Sequence, residues 1–159
     1  MRKIAIIMML LIVSVTATAC TGKSEEPEPT TGSPQNSIVT YVPDDEGCQK
    51  LIADMKAGKI PQSCELLYDQ MGSRPAVTVT DSKEVAEIYN LFTQMTVVGS
   101  TNESITDCYH HVYFKLQDGT EVRFNFEGDI WCYSEDVRYQ VQNSGKLWNK
   151  AKQLQDQEL

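Results

Sequence analysis

The chain has 159 residues, 41% of them apolar and 8% aromatic, with 14 Lys and Arg against 22 Asp and Glu, a formal net charge of −8. That acidity argues against a nucleic-acid partner, since phosphate binding needs clustered Lys and Arg, and an anionic lipid surface would repel the chain too. Length and apolar fraction fit one modest core, hence one domain.

Arg2 and Lys3 precede an apolar run from Ile4 to Val15 interrupted only by Ser14, and small residues follow up to Cys20. This is the order of a secretory signal, and the run is shorter than the roughly 20 residues a membrane helix needs. Residues 1–19 are therefore expected to be a signal peptide. Their removal takes away Arg2 and Lys3 and leaves twelve basic against 22 acidic residues, a charge of −10.

The sequence Ala17-Thr18-Ala19-Cys20 resembles the lipobox of bacterial lipoproteins, whose cysteine becomes lipid-modified and then forms the new N-terminus. Ala17 stands where Leu is commonest, and Ala17-x-Ala19 equally fits an ordinary signal-peptidase site. Both enzymes would cut after Ala19. A free thiol at the N-terminus of a secreted chain is a liability, whereas a thioether to diacylglycerol needs a cysteine there, so the resemblance implies lipidation of Cys20. Fatty-acyl chains such as palmitate, two or three of them, would hold an acidic domain at an extracytoplasmic membrane surface where electrostatics would not.

From Thr21 to Ser37 the chain holds three prolines, two glycines and no apolar side chain. Residues 20–44 therefore read as a lipidated cysteine with a disordered acidic tether spanning about 25–30 Å, and residues 45–159 as the globular domain.

Asp44-Asp45-Glu46 opens a helical pattern with Cys48, Leu51, Ile52 and Met55 on one stripe, stopped by Gly58 and Pro61. Cys64 to Met71 is open between a short helix and a strand. Val77 and Val79 alternate with threonines in a short strand. Asp81 offers a cap to a helix whose Val85, Ile88, Tyr89, Phe92 and Met95 form a stripe, and Gly99 to Asp107 reads as a polar loop.

Val112, Phe114 and Leu116 alternate on one strand and Val122, Phe124 and Phe126 on the next. A two-residue Asp118-Gly119 turn would set Phe114 opposite Arg123. A three-residue loop with Gly119 left-handed sets it opposite Val122 and keeps both faces consistent, so a G1-bulge hairpin is expected. At Glu127-Gly128-Asp129 a two-residue turn would send Trp131 and Tyr133 inward and Cys132 outward, away from an inward Cys108. The alternative register brings Trp131 out beside Arg123. Apolar area favours the inward Trp131. Val137, Tyr139 and Val141 follow as a strand. Asn143 or Ser144 then caps a helix bearing Leu147, Trp148, Ala151 and Leu154.

The order β-α-β-β-β-β-α, after a short N-terminal helix, predicts an α+β fold with an antiparallel sheet of four to five strands and helices on one face. It resembles the order of TATA-binding-protein-like and other helix-on-sheet folds, a likeness of topology that carries no function.

Cys48, Cys64, Cys108 and Cys132 are even in number in an exported chain, which predicts two disulfides. Neighbour pairing, Cys48 with Cys64 and Cys108 with Cys132, competes with the crossed patterns, because strands two apart sit farther than a bridge allows. The cluster Cys108-Tyr109-His110-His111 is the one stretch that looks chemical. Its preferred reading is a bridged Cys108, a half-buried His110 and a solvated His111. A metal site with Cys132, or a Cys108–His110 nucleophile, is the alternative. No catalytic or phosphate-binding motif is present, and no cofactor is expected.

The outer sheet face is expected to show His111, Tyr113, Lys115, Arg123, Asn125 and Arg138. That is either a solvated face of cross-strand pairs or a docking surface for an acidic or carbohydrate partner, an envelope protein or glycan. The functional expectation is a lipid-anchored extracytoplasmic binding or structural domain without catalysis. The alternatives are an envelope enzyme or metal protein using Cys108 and His110, and an inhibitor of an extracellular enzyme.

Overall fold

Period-two apolar patterning and three amphipathic stripes have one economical solution, a sheet with one face packed under helices. The computed structural model describes residues 37–41, 45–70, 72 and 74–158, so the leader, Cys20 and the tether up to residue 36 lie outside the described residues. Among the described residues four helices and seven strands occur in the order α1 (Ile38–Tyr41), α2 (Glu46–Lys56), β1 (Ser63–Gln70), β2 (Val77–Val79), α3 (Ser82–Thr93), β3 (Thr96–Ser100), β4 (Cys108–Lys115), β5 (Glu121–Glu127), β6 (Ile130–Cys132), β7 (Arg138–Gln142) and α4 (Gly145–Gln157). All strands pair antiparallel in one sheet, ordered β2-β1-β4-β5-β6-β7-β3.

The fold is α+β as expected, but the sheet has seven strands rather than four to five. The first strand beyond that count is β1, whose span the sequence left open between a short helix and a strand and which pairs with β4 along its full length. Its consecutive Leu66, Leu67 and Tyr68 blur the alternation, because Leu67 is half-buried on the outer face as well. The second is β3, which starts two residues after α3 in what read as the approach to a loop. A bulge between Val97 and Gly99 breaks its period.

The hairpin register is the one the alternation demanded. Phe114 pairs with Val122 and Val112 with Phe124, with Lys115 opposite Glu121 and Tyr113 opposite Arg123. Gly119 sits at φ +87°, and Leu116 exchanges bonds with both Gly119 and Thr120, which is the G1 geometry. At the second turn Glu127 pairs with Ile130 and Phe126 with Trp131, so Trp131 is inside, 2% exposed. Tyr133, expected inside as well, lies past the end of β6 and is 40% exposed.

Phe92 of α3 meets Phe114 and Phe124, Trp148 of α4 meets Phe126, and Tyr41 of α1 meets Tyr139. Gly47 of α2 lies against Val122. Every helix thus packs on the same face. Asp45 caps α2 through the Cys48 amide, and Asp81 caps α3 through those of Lys83 and Glu84. The expected cap of α4 is different: Ser144 occupies the position, but its hydroxyl donates to Asp129 and makes no bond to the helix.

The folded unit also begins earlier than residue 45. Ile38 is fully buried, its N–H donates to Met95 O, and the Ser37 hydroxyl donates to Thr93 O. A tether ending at residue 44 is therefore too long. Ile38 and Val39 belong to the core, and Tyr41 packs against it.

Candidate binding surfaces

Outward-facing residues of β4 form a ladder. The His111 ring stacks on Tyr113 at 4.1 Å and 8°, Tyr109 meets His111 edge-on, and the Arg123 guanidinium lies over the Tyr113 ring at 5.1 Å. Tyr109 and Tyr113 both donate to Asn125 Oδ1, at 3.0 and 2.8 Å. Burial and the neighbouring Tyr113 push the Tyr109 hydroxyl up to about 12. His111, expected in solvent, is 7% exposed, with Nε2 3.0 Å from Glu65. Burial holds its pKa below the ordinary value in spite of Glu65.

The two arginines of this face are partnered. Arg123 bonds Glu121, and Arg138 bonds Glu127. Arg138, expected beside Arg123, is set apart on β7. Glu127 also accepts from the Ser104 hydroxyl and the Ile105 amide. Burial raises the Glu127 pKa, but the hydrogen bonds from Arg138, Ser104 and Ile105 outweigh it and hold the carboxyl low. This clamp fastens the β3–β4 loop beside Ile130, which faces outward by register yet is 1% exposed. The accessible remainder of the face is Tyr109, Tyr113, Lys115, Arg123 and Asn125. It borders a shallow pocket of about 240 Å³ that also takes in Glu65 and Thr78.

Cysteines and histidines divide between the two faces. Cys48, Cys64, Cys108 and Cys132 are all free thiols in the structure. Cys64 and Cys108 share the parity of Val112 and Phe114 and face the helices. Cys132 neighbours the inward Trp131 and faces out. Successive strand residues point to opposite faces, so Cys132 has no cysteine of this set on its own side, and the expectation of two bridges is not met. Burial, with Asp45 adding to it, pushes the Cys48 thiol up to about 12, and burial raises that of Cys64 as well. Such thiols are poor nucleophiles.

His110 is 3% exposed rather than half-buried. It stacks on Tyr68 at 4.4 Å and lies 4.9 Å from the Trp148 ring, while Nδ1 accepts from the Asp69 amide. Cys108 and His110 point inward and Cys132 outward, so these three do not converge on a metal. Among the described residues no group of three or more His, Cys, Asp and Glu side chains is placed to hold one.

A second cleft lies where β6 ends. Its volume is about 460 Å³, within the range of small-ligand pockets, and Asp45, Cys48, Arg123, Phe124, Trp131 and Tyr133 line it, with Glu46, Lys50 and Glu121 at the rim. It was not foreseen. The sequence signal is length, since the three-residue β6 cannot cover the seven-residue β5 beside it.

Arg123 borders both hollows. No family model, no characterised protein and no solved structure matches this chain, so what it binds rests on the chemistry of these surfaces alone.

Proposed function

We propose that this chain is a lipid-anchored extracytoplasmic binding domain of the bacterial cell envelope, without catalytic activity, and that Tyr109, Tyr113, Lys115, Arg123 and Asn125 form its recognition face for an envelope protein or glycan. The observation that carries the binding part is an open sheet face. All four helices pack on the opposite side, leaving an accessible strip of tyrosine hydroxyls, an amide and two cations on a rigid ladder. Tyr and Arg are the residues that concentrate binding energy when desolvated. Arg123 pairs with Glu121 at rest, so a partner would exchange that pair for its own, which favours selectivity over raw affinity. The anchor rests on Cys20 and the leader.

Two experiments test this. Cys20→Ser should move the full chain from the membrane fraction to the soluble extracytoplasmic fraction, and a variant that stays with the membrane rejects the lipid anchor. The full chain in detergent should also be retained on immobilised envelope polysaccharide or on envelope proteins. Tyr109→Ala with Lys115→Glu should cut that retention at least tenfold at unchanged near-UV circular dichroism. Equal retention would remove the face from consideration.

A further inference from the structure

We propose that the uncovered edge of β5, Glu121 to Phe124, is a docking site for an extended segment of a partner polypeptide, which adds to the sheet as a short strand continuing the line of β6. The geometry follows from two registers. β6 pairs only with Asn125, Phe126 and Glu127, so β5 runs on four residues past its neighbour. On the other side the β4–β5 ladder is phased by the bond from Leu116 N–H to Thr120 O. Bonded pairs recur every second residue in an antiparallel ladder, so Val122 and Phe124 direct their main-chain groups to β4. Those of Glu121 and Arg123 therefore point the other way, into the cleft. Among the described residues nothing pairs with them, and the facing wall is closed on itself, since the Tyr133 and Ser134 amides both donate to Val137 O.

The cleft suits a polypeptide better than a compact solute. It offers donor and acceptor groups repeated two residues apart, about 7 Å along the strand, which is the repeat of an extended chain. Its floor, Phe124 and Trp131 with Val122, takes the side chain that a strand would turn inward. The rim carries Asp45, Glu46 and Glu121 against Lys50 and Arg123, a small acidic excess. That balance excludes this chain's own Thr21–Asn36 segment. The segment has Lys23 against Glu25, Glu26 and Glu28, includes three prolines, and holds no apolar side chain for the floor. The occupant is thus a neutral or basic segment of another protein with an apolar residue at the inward position.

Panning phage-displayed random dodecapeptides against the full chain in detergent provides the probe. The enriched peptides are expected to alternate apolar and polar residues without central proline, and to slow amide exchange of Glu121 and Arg123 at least tenfold. Arg123→Pro removes the more central of the two N–H groups aimed into the cleft without touching the β4 ladder, as proline does at a strand edge. It should weaken the selected peptide at least twentyfold, where Arg123→Ala, which loses only the side chain, weakens it no more than about threefold. Should Arg123→Pro fail to fold by near-UV circular dichroism, the same peptide N-methylated at its central residues replaces it, with the same loss expected. No enrichment, unprotected amides, or equal binding by the proline variant or the N-methylated peptide would overturn the proposal. Sedimentation as a dimer with those amides already protected would overturn it in favour of a second copy.

Discussion

Trp131→Ala is expected to lower the free energy of unfolding by about 3–5 kcal/mol, the range for deleting a buried aromatic. Trp131 is among the fully buried large side chains, and its ring meets Phe124 at 5.8 Å, Tyr139 at 5.5 Å and Tyr133 at 5.5 Å. It joins the β6–β7 end of the sheet to the phenylalanine core of β4 and β5, where the helices are anchored. The three-residue β6 leaves few backbone bonds to hold that end once the ring is gone. A small domain has about 5–15 kcal/mol in all, so the loss is about a fifth of it or more. Urea unfolding followed by circular dichroism measures it through the midpoint at constant slope. A loss below about 1 kcal/mol would mean that Trp131 is not in the core. In a Trp148→Phe background the emission of Trp131 should be blue-shifted and resistant to acrylamide.

Stability should be level between about pH 7 and 8 and fall as the pH drops below about 6.5, steepening with two histidines rather than with carboxylates. Burial lowers the folded-state pKa of His110, and the backbone hydrogen bond with Tyr109 and the charges of Asp129 and Asp69 only partly oppose it. The same direction holds for His111, where burial outweighs Glu65. For a base whose folded pKa is depressed, the unfolded chain takes up the proton first. Between the unfolded value near 6.5 and the lower folded value, the unfolded state therefore binds more protons and stability declines with falling pH. The slope is at most about 1.4 kcal/mol per pH unit for each histidine. His110→Phe, which keeps a ring between Tyr68 and Trp148, should flatten the fall between pH 6.5 and 5 by about half of that two-histidine maximum. An unchanged slope in that variant would show that His110 titrates in the folded state as it does in the unfolded one. The dependence matters for a chain expected outside the cytoplasm, where pH is less tightly held.

Much of the helical face was legible in the residues themselves. Val85, Ile88, Tyr89 and Phe92 recur at helical spacing and are buried together, and Asp45 and Asp81 cap where an acid before an apolar stripe says they should. The β4–β5 register could be deduced because a slip of one residue would have buried Arg123 and exposed Phe114, an error too costly to leave ambiguous. Trp131 went inward for the same reason: apolar area decided between two turns.

Other features were settled only by the assembled sheet. β1 and β3 are strands because partners some fifty residues away supply their hydrogen bonds, and no local period in Leu66-Leu67-Tyr68 or Val97-Val98-Gly99 reveals those partners. His111 is an outward residue by parity and would be solvated on an edge strand. It is buried because β1 brings Glu65 against it and Tyr109 and Tyr113 of its own strand cover the ring on either side. Ile38 joined the core from what composition marked as the end of a tether, since Met95 O was there to accept its backbone N–H and Thr93 O the Ser37 hydroxyl. The uncovered edge of β5 is the furthest from the sequence, because it depends on where β6 stops relative to β5. Each strand reports its own apolar rhythm, and the length over which two strands overlap is a property of the pair.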